Sequence, residues 1–241
     1  MTKPLTKENP YTNMQKNQYD STAEGWSTEN RDPVVGSFDQ HNAWTDYEYL
    51  FHDIPREAWS GMDVLDFATG PGRNLVRYQD RFQSIDGVDI SDINLRNAKK
   101  WIAHNGLNVD RFRLYSCNGV DLSNILSTSY DLVMSTIAMQ HICVYDIRYQ
   151  YFKEFYRVLR PGGWISLQMG FGSPSPQTVP YHANHYQAPG TNRVCDVEVS
   201  DPVQLENDLL SIGFVDFHFH LRPVGPGDCH PQWIFFSARK L

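Results

Sequence analysis

Two carboxylates, Asp66 and Asp89, bracket a glycine turn, Gly70-Pro71-Gly72, in a chain of 241 residues. Ahead of the turn runs Val64-Leu65-Asp66-Phe67-Ala68, an apolar stretch of strand type, and Arg73-Asn74-Leu75 can open a helix behind it. Glycines at such a turn let the backbone approach a ligand closely at a helix N-terminus. An acid at the end of the next strand, where Asp89 falls, can accept hydrogen bonds from both hydroxyls of an adenosine ribose. A dinucleotide fingerprint needs a third glycine for tight helix–strand packing, and here Arg73, Asn74 and Leu75 follow Gly72 instead. Asp66 would repel a pyrophosphate and suits a ligand with a cationic ammonium group. A phosphate loop is excluded, because no Gly-Lys-Ser/Thr is present.

The elements that must position these residues follow from periodicity. Residues 62–67, 84–90, 111–117, 131–136 and 164–169 read as strands. Helical spacing fills 74–81, the stretch from Ile93 to Ile102 capped by Ser91 and closed by Gly106, and the stretch from Ile147 to Leu159 ended by Pro161-Gly162-Gly163. Residues 170–200 show no period and read as a long loop, which in a compact domain is usually functional. Asp201-Pro202-Val203-Gln204 forms a capping box for a helix that Gly213 stops. The segments 214–221 and 232–238 suggest an antiparallel hairpin. Between Phe38 and Phe51 the spacing of Trp44, Tyr47, Leu50 and Phe51 predicts an amphipathic helix, ended by Ile54-Pro55. Strands alternating with helices imply a mainly parallel sheet with helices on both faces.

Composition removes several classes. The net charge is −7, which argues against nucleic acid or an anionic membrane as main partner. No stretch approaches 18 apolar residues and the first ten are polar, so a soluble, cytoplasmic protein is expected. Cys117, Cys143, Cys195 and Cys229 form no C-x-x-C pair, so neither zinc nor a disulfide framework is expected. His218 and His220 alternate with phenylalanines on one strand and read as solvated side chains. The expected partner is a small-molecule acceptor, with a homodimer left open.

At this point the sequence resembles the class I S-adenosylmethionine-dependent methyltransferases, from about Asp63 to Met169. Asp66-Phe67-Ala68-Thr69-Gly70-Pro71-Gly72 resembles the first motif, with Ala68 at its first glycine, a mild change if Ala68 needs no positive φ. Gly87-Val88-Asp89-Ile90-Ser91 is similar to the ribose motif. Asn118-Gly119 lies where the family contacts adenine, often through Asp. Tyr130 to Ser135 with Gln140-His141-Ile142, and Glu154 to Gly163, resemble the later motifs. The resemblance implies S-adenosylmethionine as cofactor, held by Tyr19, Asp66, Ala68, Gly70, Gly72, Asn74, Asp89, Ile90, Asn118, Gly119 and Ser135.

The implied fold is α/β: Rossmann-like and doubly wound, with a mostly parallel seven-stranded sheet and an antiparallel C-terminal hairpin. Residues 1–60 form an N-terminal helical cap, and 61–241 the methyltransferase domain with an inserted active-site loop at about 170–200. The inferred reaction moves a methyl group to an oxygen or nitrogen of a small polar molecule, a sugar or hydroxylated metabolite being favoured. His141, a few residues past the fourth strand, is the candidate general base. Tyr181, His182, His185 and Tyr186 form the expected acceptor wall, and no metal is expected. Residues about 11–40 are expected to act as a lid, with Tyr19 reaching the pocket. A non-catalytic S-adenosylmethionine-binding protein is the main rival reading, and a nicotinamide oxidoreductase the weaker one.

Overall fold

The computed structural model describes residues 10–31, 45–173, 175, 178–186, 196–224 and 230–241. Its sheet begins with five parallel strands in the order β3-β2-β1-β4-β5. These are β1 (Asp63–Phe67), β2 (Ser84–Asp89), β3 (Leu114–Ser116), β4 (Tyr130–Ser135) and β5 (Leu159–Phe171). On the far edge, β9 (Gln232–Lys240) pairs antiparallel with both β5 and β8 (Phe214–Pro223). Strand order reverses between β1 and β4, the place where open α/β sheets leave a crevice at the carboxyl ends.

That seven-stranded frame matches the expectation, but the segment read as a loop adds two strands. They are β6 (Thr178–Pro180) and β7 (Asp196–Val199). β4 releases β5 after the pair Ser135↔Leu167, and β5 runs on. Its Gly170 and Phe171 pair with Glu198 and Val199 of β7 while also pairing with Trp233 and Gln232 of β9. β7 therefore occupies the edge that β4 vacates. Pro161-Gly162-Gly163 does not end a helix before a separate strand, because β5 already starts at Leu159 and a register shift absorbs the interruption.

Other boundaries shift for local reasons. The helix after the glycine turn, α2, is Arg73–Tyr78 rather than 74–81. β3 is three residues long because Asn108 caps a 3₁₀ turn at Val109–Arg111. The stretch at Thr45–Phe51 is a 3₁₀ helix with Leu50 and Phe51 buried, while Phe38 and Trp44 lie outside the described residues. The remaining helices are α1 (Pro10–Glu24), α3 (Asp92–His104), α4 (Tyr145–Val158) and α5 (Pro202–Ile212). α3 and α5 carry the predicted caps: Ser91 Oγ accepts from the Asn94 N–H, and Asp201 with Gln204 completes the capping box.

Strand alternation sends side chains into two cores. Leu65, Phe67 and Val133 join Tyr151, Phe155, Leu205 and Leu209 on one face. Val64, Leu132 and Met134 join Leu50, Phe51, Leu75 and Ile102 on the other. Each such aliphatic side chain contributes about 1.5–3 kcal/mol by leaving water.

α1 is polar, and hydrogen bonds rather than an apolar stripe dock it. The Tyr11 hydroxyl accepts from the Cys143 N–H at 2.7 Å, and Gln15 donates to the His141 carbonyl at 2.8 Å. Lys16 donates to the Ile90 carbonyl at 3.0 Å, and Asp20 accepts from the Ser91 hydroxyl at 2.6 Å. No helix among the described residues is long and apolar enough to cross a membrane.

Gly72 shows how tightly α2 and α3 meet. Its φ is +82°, and a Cβ there would lie 3.0 Å from the Ala98 Cβ. Gly72→Ala is therefore expected to cost about 1–3 kcal/mol through overpacking and left-handed strain. Urea unfolding checks this, and an unchanged midpoint would contradict the packing role.

Candidate active site

A cavity of about 470 Å³ opens at the carboxyl ends of β1, β2 and β4, within the range that encloses a drug-sized ligand. Its floor is the turn after β1. Ala68 there has φ +55°, and Ile137 across the cavity has φ +50°. Ala68 thus does adopt the left-handed conformation that a glycine would hold without strain. Two non-glycine residues in this region, both lining the cavity, store strain where a ligand is contacted.

Asp89 fastens this floor. Its Oδ2 accepts from the Gly70 N–H and its Oδ1 from the Ser91 N–H, each at 2.8 Å. Burial pushes its carboxyl up to about 6, against the lowering effect of those two N–H groups. The Asn94 side chain is a third hydrogen-bond partner of this carboxyl, and both Asp89 and Asn94 line the cavity. Asp66 is arranged differently. It is 1% exposed, accepts from Thr69 Oγ1 at 2.7 Å and Asn74 Nδ2 at 3.0 Å, and does not line the cavity. Burial raises its carboxyl to about 6 as well. Asp66 shapes the turn, and Thr69 and Asn74 present the ligand-facing surface.

Of the other expected cofactor residues, Tyr19, Ala68, Gly70, Ile90 and Gly119 line the cavity. Three do not. Gly72 packs on Ala98, as above. Asn118 spends its side chain on an Asx turn, its Oδ1 accepting from the Val120 and Asp121 N–H groups and its Nδ2 donating to Asp121. Ser135 is buried and donates to the Phe67 carbonyl at 2.8 Å, tying β4 to β1. The side near Gly119 is completed by Cys117, a free thiol that burial pushes up to about 11. Cys143 is buried with its thiol against the His141 carbonyl, while Cys195 and Cys229 lie outside the described residues.

α1 forms the opposite wall through Gln15, Gln18, Tyr19 and Thr22. The Tyr19 phenol is held protonated by burial, with the Asp196 and Asp89 carboxylates opposing its ionisation, so it serves as a donor. Trp26 follows the helix, lines the cavity, and has a buried indole N–H with no partner among the described residues. Arg73 reaches the same space and donates to Thr136 Oγ1 at 2.5 Å. Sequence reasoning placed Trp26, with Gln18, Tyr19 and Asp20, in the cluster of the expected lid, and gave no individual role to Gln15, Arg73 or Thr136. Arg73 had a signal, a cation directly behind the glycine turn; the others are brought in by tertiary contacts.

His141 lines the far end of the cavity. Its Nδ1 lies 2.6 Å from Asp196 Oδ1. Burial opposes ionisation of Asp196, but His141 and His230 beside it hold the carboxyl well below the usual carboxylate range. The expected acceptor wall is elsewhere. Tyr181 is buried and donates to Asp208 at 2.7 Å. His182 stacks edge-on against Tyr145, and the His185 N–H bonds the Cys143 carbonyl. Tyr186 is 47% exposed, its ring edge-on to Tyr11. None of the four lines the cavity, because this segment docks on the start of α4 through the bridge Val144↔Asn184. On β8, His218 is exposed, whereas His220 bonds Asp53 at 3.0 Å.

Residues 64–163 match a family model described as a methyltransferase domain. Over that stretch the chain is similar to methyltransferase domains. No curated protein matches the sequence. Among solved structures, a Haemonchus contortus phosphoethanolamine N-methyltransferase, in complex with phosphomonomethylethanolamine and S-adenosylhomocysteine, superposes with a TM-score of 0.66 at 18% identity. The alignment covers 100% of this chain and 62% of that one, so this chain spans about three fifths of that relative. The Burkholderia thailandensis 1,6-didemethyltoxoflavin N1-methyltransferase, with its substrate and S-adenosylhomocysteine, gives 0.63 at 18% identity, covering 100% and 93%. A Methanosarcina mazei S-adenosylmethionine-dependent methyltransferase gives 0.58 at 20% identity, covering 76% and 93%. At these identities the likeness establishes the fold.

The cavity suits the S-adenosylhomocysteine bound in two of these structures on its own geometry. Gly70 faces open space where a Cβ would meet nothing within 4 Å, and the Trp26 indole N–H, without a partner among the described residues, lines the same cavity as the Asp89 carboxylate. Only ionised Asp89 accepts from two hydroxyls, so binding favours its charged form. Affinity for S-adenosylhomocysteine is expected to be full above pH 7 and to fall as pH drops through about 6, approaching about tenfold per pH unit. Asp89→Asn should remove that step while Asp66 still titrates. Calorimetry between pH 5 and 8 checks this, and a pH-independent affinity in the wild type would contradict it.

Proposed function

We propose that this protein transfers a methyl group from S-adenosylmethionine to a small polar molecule whose accepting oxygen or ring nitrogen carries a proton, a sugar or hydroxylated metabolite foremost. The observation that supports this reading most is one cavity that Asp89, the glycine turn and His141 all line, with Asp196 bonded to the His141 imidazole. Asp89 takes the ribose hydroxyls, and Ile90, Cys117 and Gly119 flank the base. Arg73 and Asn74 hold the amino-acid end, the Arg73 guanidinium offsetting its carboxylate. Bound there, S-adenosylmethionine supplies a methyl group on a sulfonium sulfur, which keeps the C–S electron pair on leaving.

The chain's own residues then have two tasks. Alignment of nucleophile and methyl in a dry pocket provides most of the acceleration. Tyr19 and Trp26 close one side, and Ile137, Ala138 and Ile142 supply apolar wall near His141. His141 takes the acceptor's proton on Nε2 as the new bond to carbon forms, while Asp196 steadies the imidazolium. Two of the three named relatives are N-methyltransferases; a ring N–H, like a hydroxyl, loses its proton on transfer and fits the same base.

With label in the methyl group of S-adenosylmethionine and a panel of sugars, phenols and nitrogen heteroaromatics, transfer is expected to a proton-bearing acceptor. His141→Ala should lower that turnover by about 10²–10⁴-fold, leaving S-adenosylhomocysteine affinity nearly unchanged. Rapid transfer to simple amines, untouched by the substitution, would sink the base assignment.

The cap, residues 1–60 over the domain 61–241, serves as a lid in this reading. Of the expected lid 11–40, residues 32–40 lie outside the described residues. α1 lines the cavity through side chains and is held by hydrogen bonds to the turns after β2 and β4 and to α3, where Asn97 donates to the Ala23 carbonyl and Lys16 pairs with Asp92; a lid tightens such a docking when ligand binds. Amide exchange over residues 11–31 is expected to slow when S-adenosylhomocysteine binds. Equal protection with and without it would mean a permanently fixed wall.

A further inference from the structure

The pair His141–Asp196 is the end of a longer chain of groups. Asp196 Oδ2 lies 3.1 Å from His230 Nε2, and His230 Nδ1 lies 3.0 Å from Glu198 Oε2. His230, Asp196 and Glu198 are each 2% exposed or less. The room for this was built into the backbone: a Cβ on Gly170 would lie 2.1 Å from His230 Nδ1, so only glycine lets the imidazole lie against β5. Trp233 covers the ring, its centroid 4.8 Å away.

Each His230 nitrogen faces a carboxylate oxygen, and an ionised carboxylate only accepts. Both nitrogens must then donate, which makes His230 an imidazolium between two acids. Asp196 is held ionised by its two histidines. Among the described residues, the cluster of Asp196, His230 and Glu198 thus carries one net negative charge before His141 is counted. Tyr11, Tyr19 and the Cys143 thiol lie close by, and the buried Arg148 guanidinium donates to the carbonyl of Ile142, the residue after His141.

We propose that His230, clamped between Asp196 and Glu198, is a positioning residue that sets the His141 tautomer. It occupies one Asp196 oxygen, leaves the other to accept the His141 Nδ1–H, and so presents the Nε2 lone pair to the cavity. The proton on one imidazole nitrogen is dictated by the bond the other makes. Among the described residues, the close polar contact of Nε2 is Gln140 Nε2 at 3.5 Å, a donor that also requires a lone pair there. What that lone pair does rests on the methyl-transfer reading, whereas its placement does not. A neutral base with a net-negative cluster behind it is arranged to receive a proton and become part of a neutral whole.

Nitrogen-15 NMR of the histidine side chains reads this directly at pH 8 in the full chain without ligand, with His141→Gln and His230→Gln for assignment. His141 is expected to carry one proton, on Nδ1. His230 is expected to carry two, although an imidazole with the ordinary pKa of about 6.5 is mostly neutral there. Glu198→Gln should leave His230 with one proton. In Asp196→Asn the His230 N–H keeps the amide oxygen, which turns the amide NH₂ toward His141 and moves its proton to Nε2. An Nε2–H tautomer in the wild type, a single proton on wild-type His230, or an Asp196→Asn variant with the His141 tautomer unchanged would overturn the proposal. The wild-type spectrum decides even if a variant fails to fold. Calorimetric titration of the wild type with S-adenosylhomocysteine tests the cofactor reading separately, since its failure would leave the tautomer assignment standing.

Discussion

One carboxylate fastens the whole arrangement. Asp89 ends β2 and accepts from the Gly70 N–H of the turn after β1 and from the Ser91 N–H that opens α3. Ser91 in turn caps α3 and donates to Asp20 of α1. The turn, the helix start and the cap helix therefore share one buried anion as their meeting point. Burying that charge is costly unless hydrogen bonds compensate it, and the incompletely compensated state is visible in a carboxyl raised to about 6. In the proposed binding mode, vicinal ribose hydroxyls add donors to this carboxylate beyond Gly70, Ser91 and the Asn94 side chain.

Much of this was legible in local sequence because the responsible interactions are local. A strand of four consecutive buried residues, a glycine turn and an acid at the end of the next strand are contiguous features, and they placed β1 and β2, at whose carboxyl ends Gly70 and Asp89 line the cavity. The caps at Ser91 and Asp201 obey side-chain-to-backbone rules spanning three residues. Ala68 and Gly72 show the limit of reading a motif by its letters. The alanine takes a left-handed conformation, and the last glycine makes room for a helix rather than for a ligand.

What escaped was set by distance in the chain. Asp-Val-Glu-Val at β7 alternates like a half-exposed strand, yet both faces are buried, because His230 from the approach to β9 covers the acids. No pattern within 170–200 announces that β5 will outrun β4 and offer an edge. Tyr181, His182, His185 and Tyr186 had the right chemistry for a binding wall, but the bridge to Val144 anchors their segment on α4 instead. α1 likewise lacks an apolar stripe, so its docking depends on which carbonyls and N–H groups the turns after β2 and β4 leave exposed.

The central claim is that this single cavity holds the methyl donor and the proton acceptor face to face. A crystal structure with S-adenosylhomocysteine tests it most directly. The account predicts both ribose hydroxyls on the Asp89 carboxylate, the amino-acid end beside Arg73 and Asn74, and the sulfur directed along the cavity toward His141. A ligand bound outside this cavity, or one inside it with the sulfur turned away from His141 and Asp89 left without a hydroxyl, would contradict it.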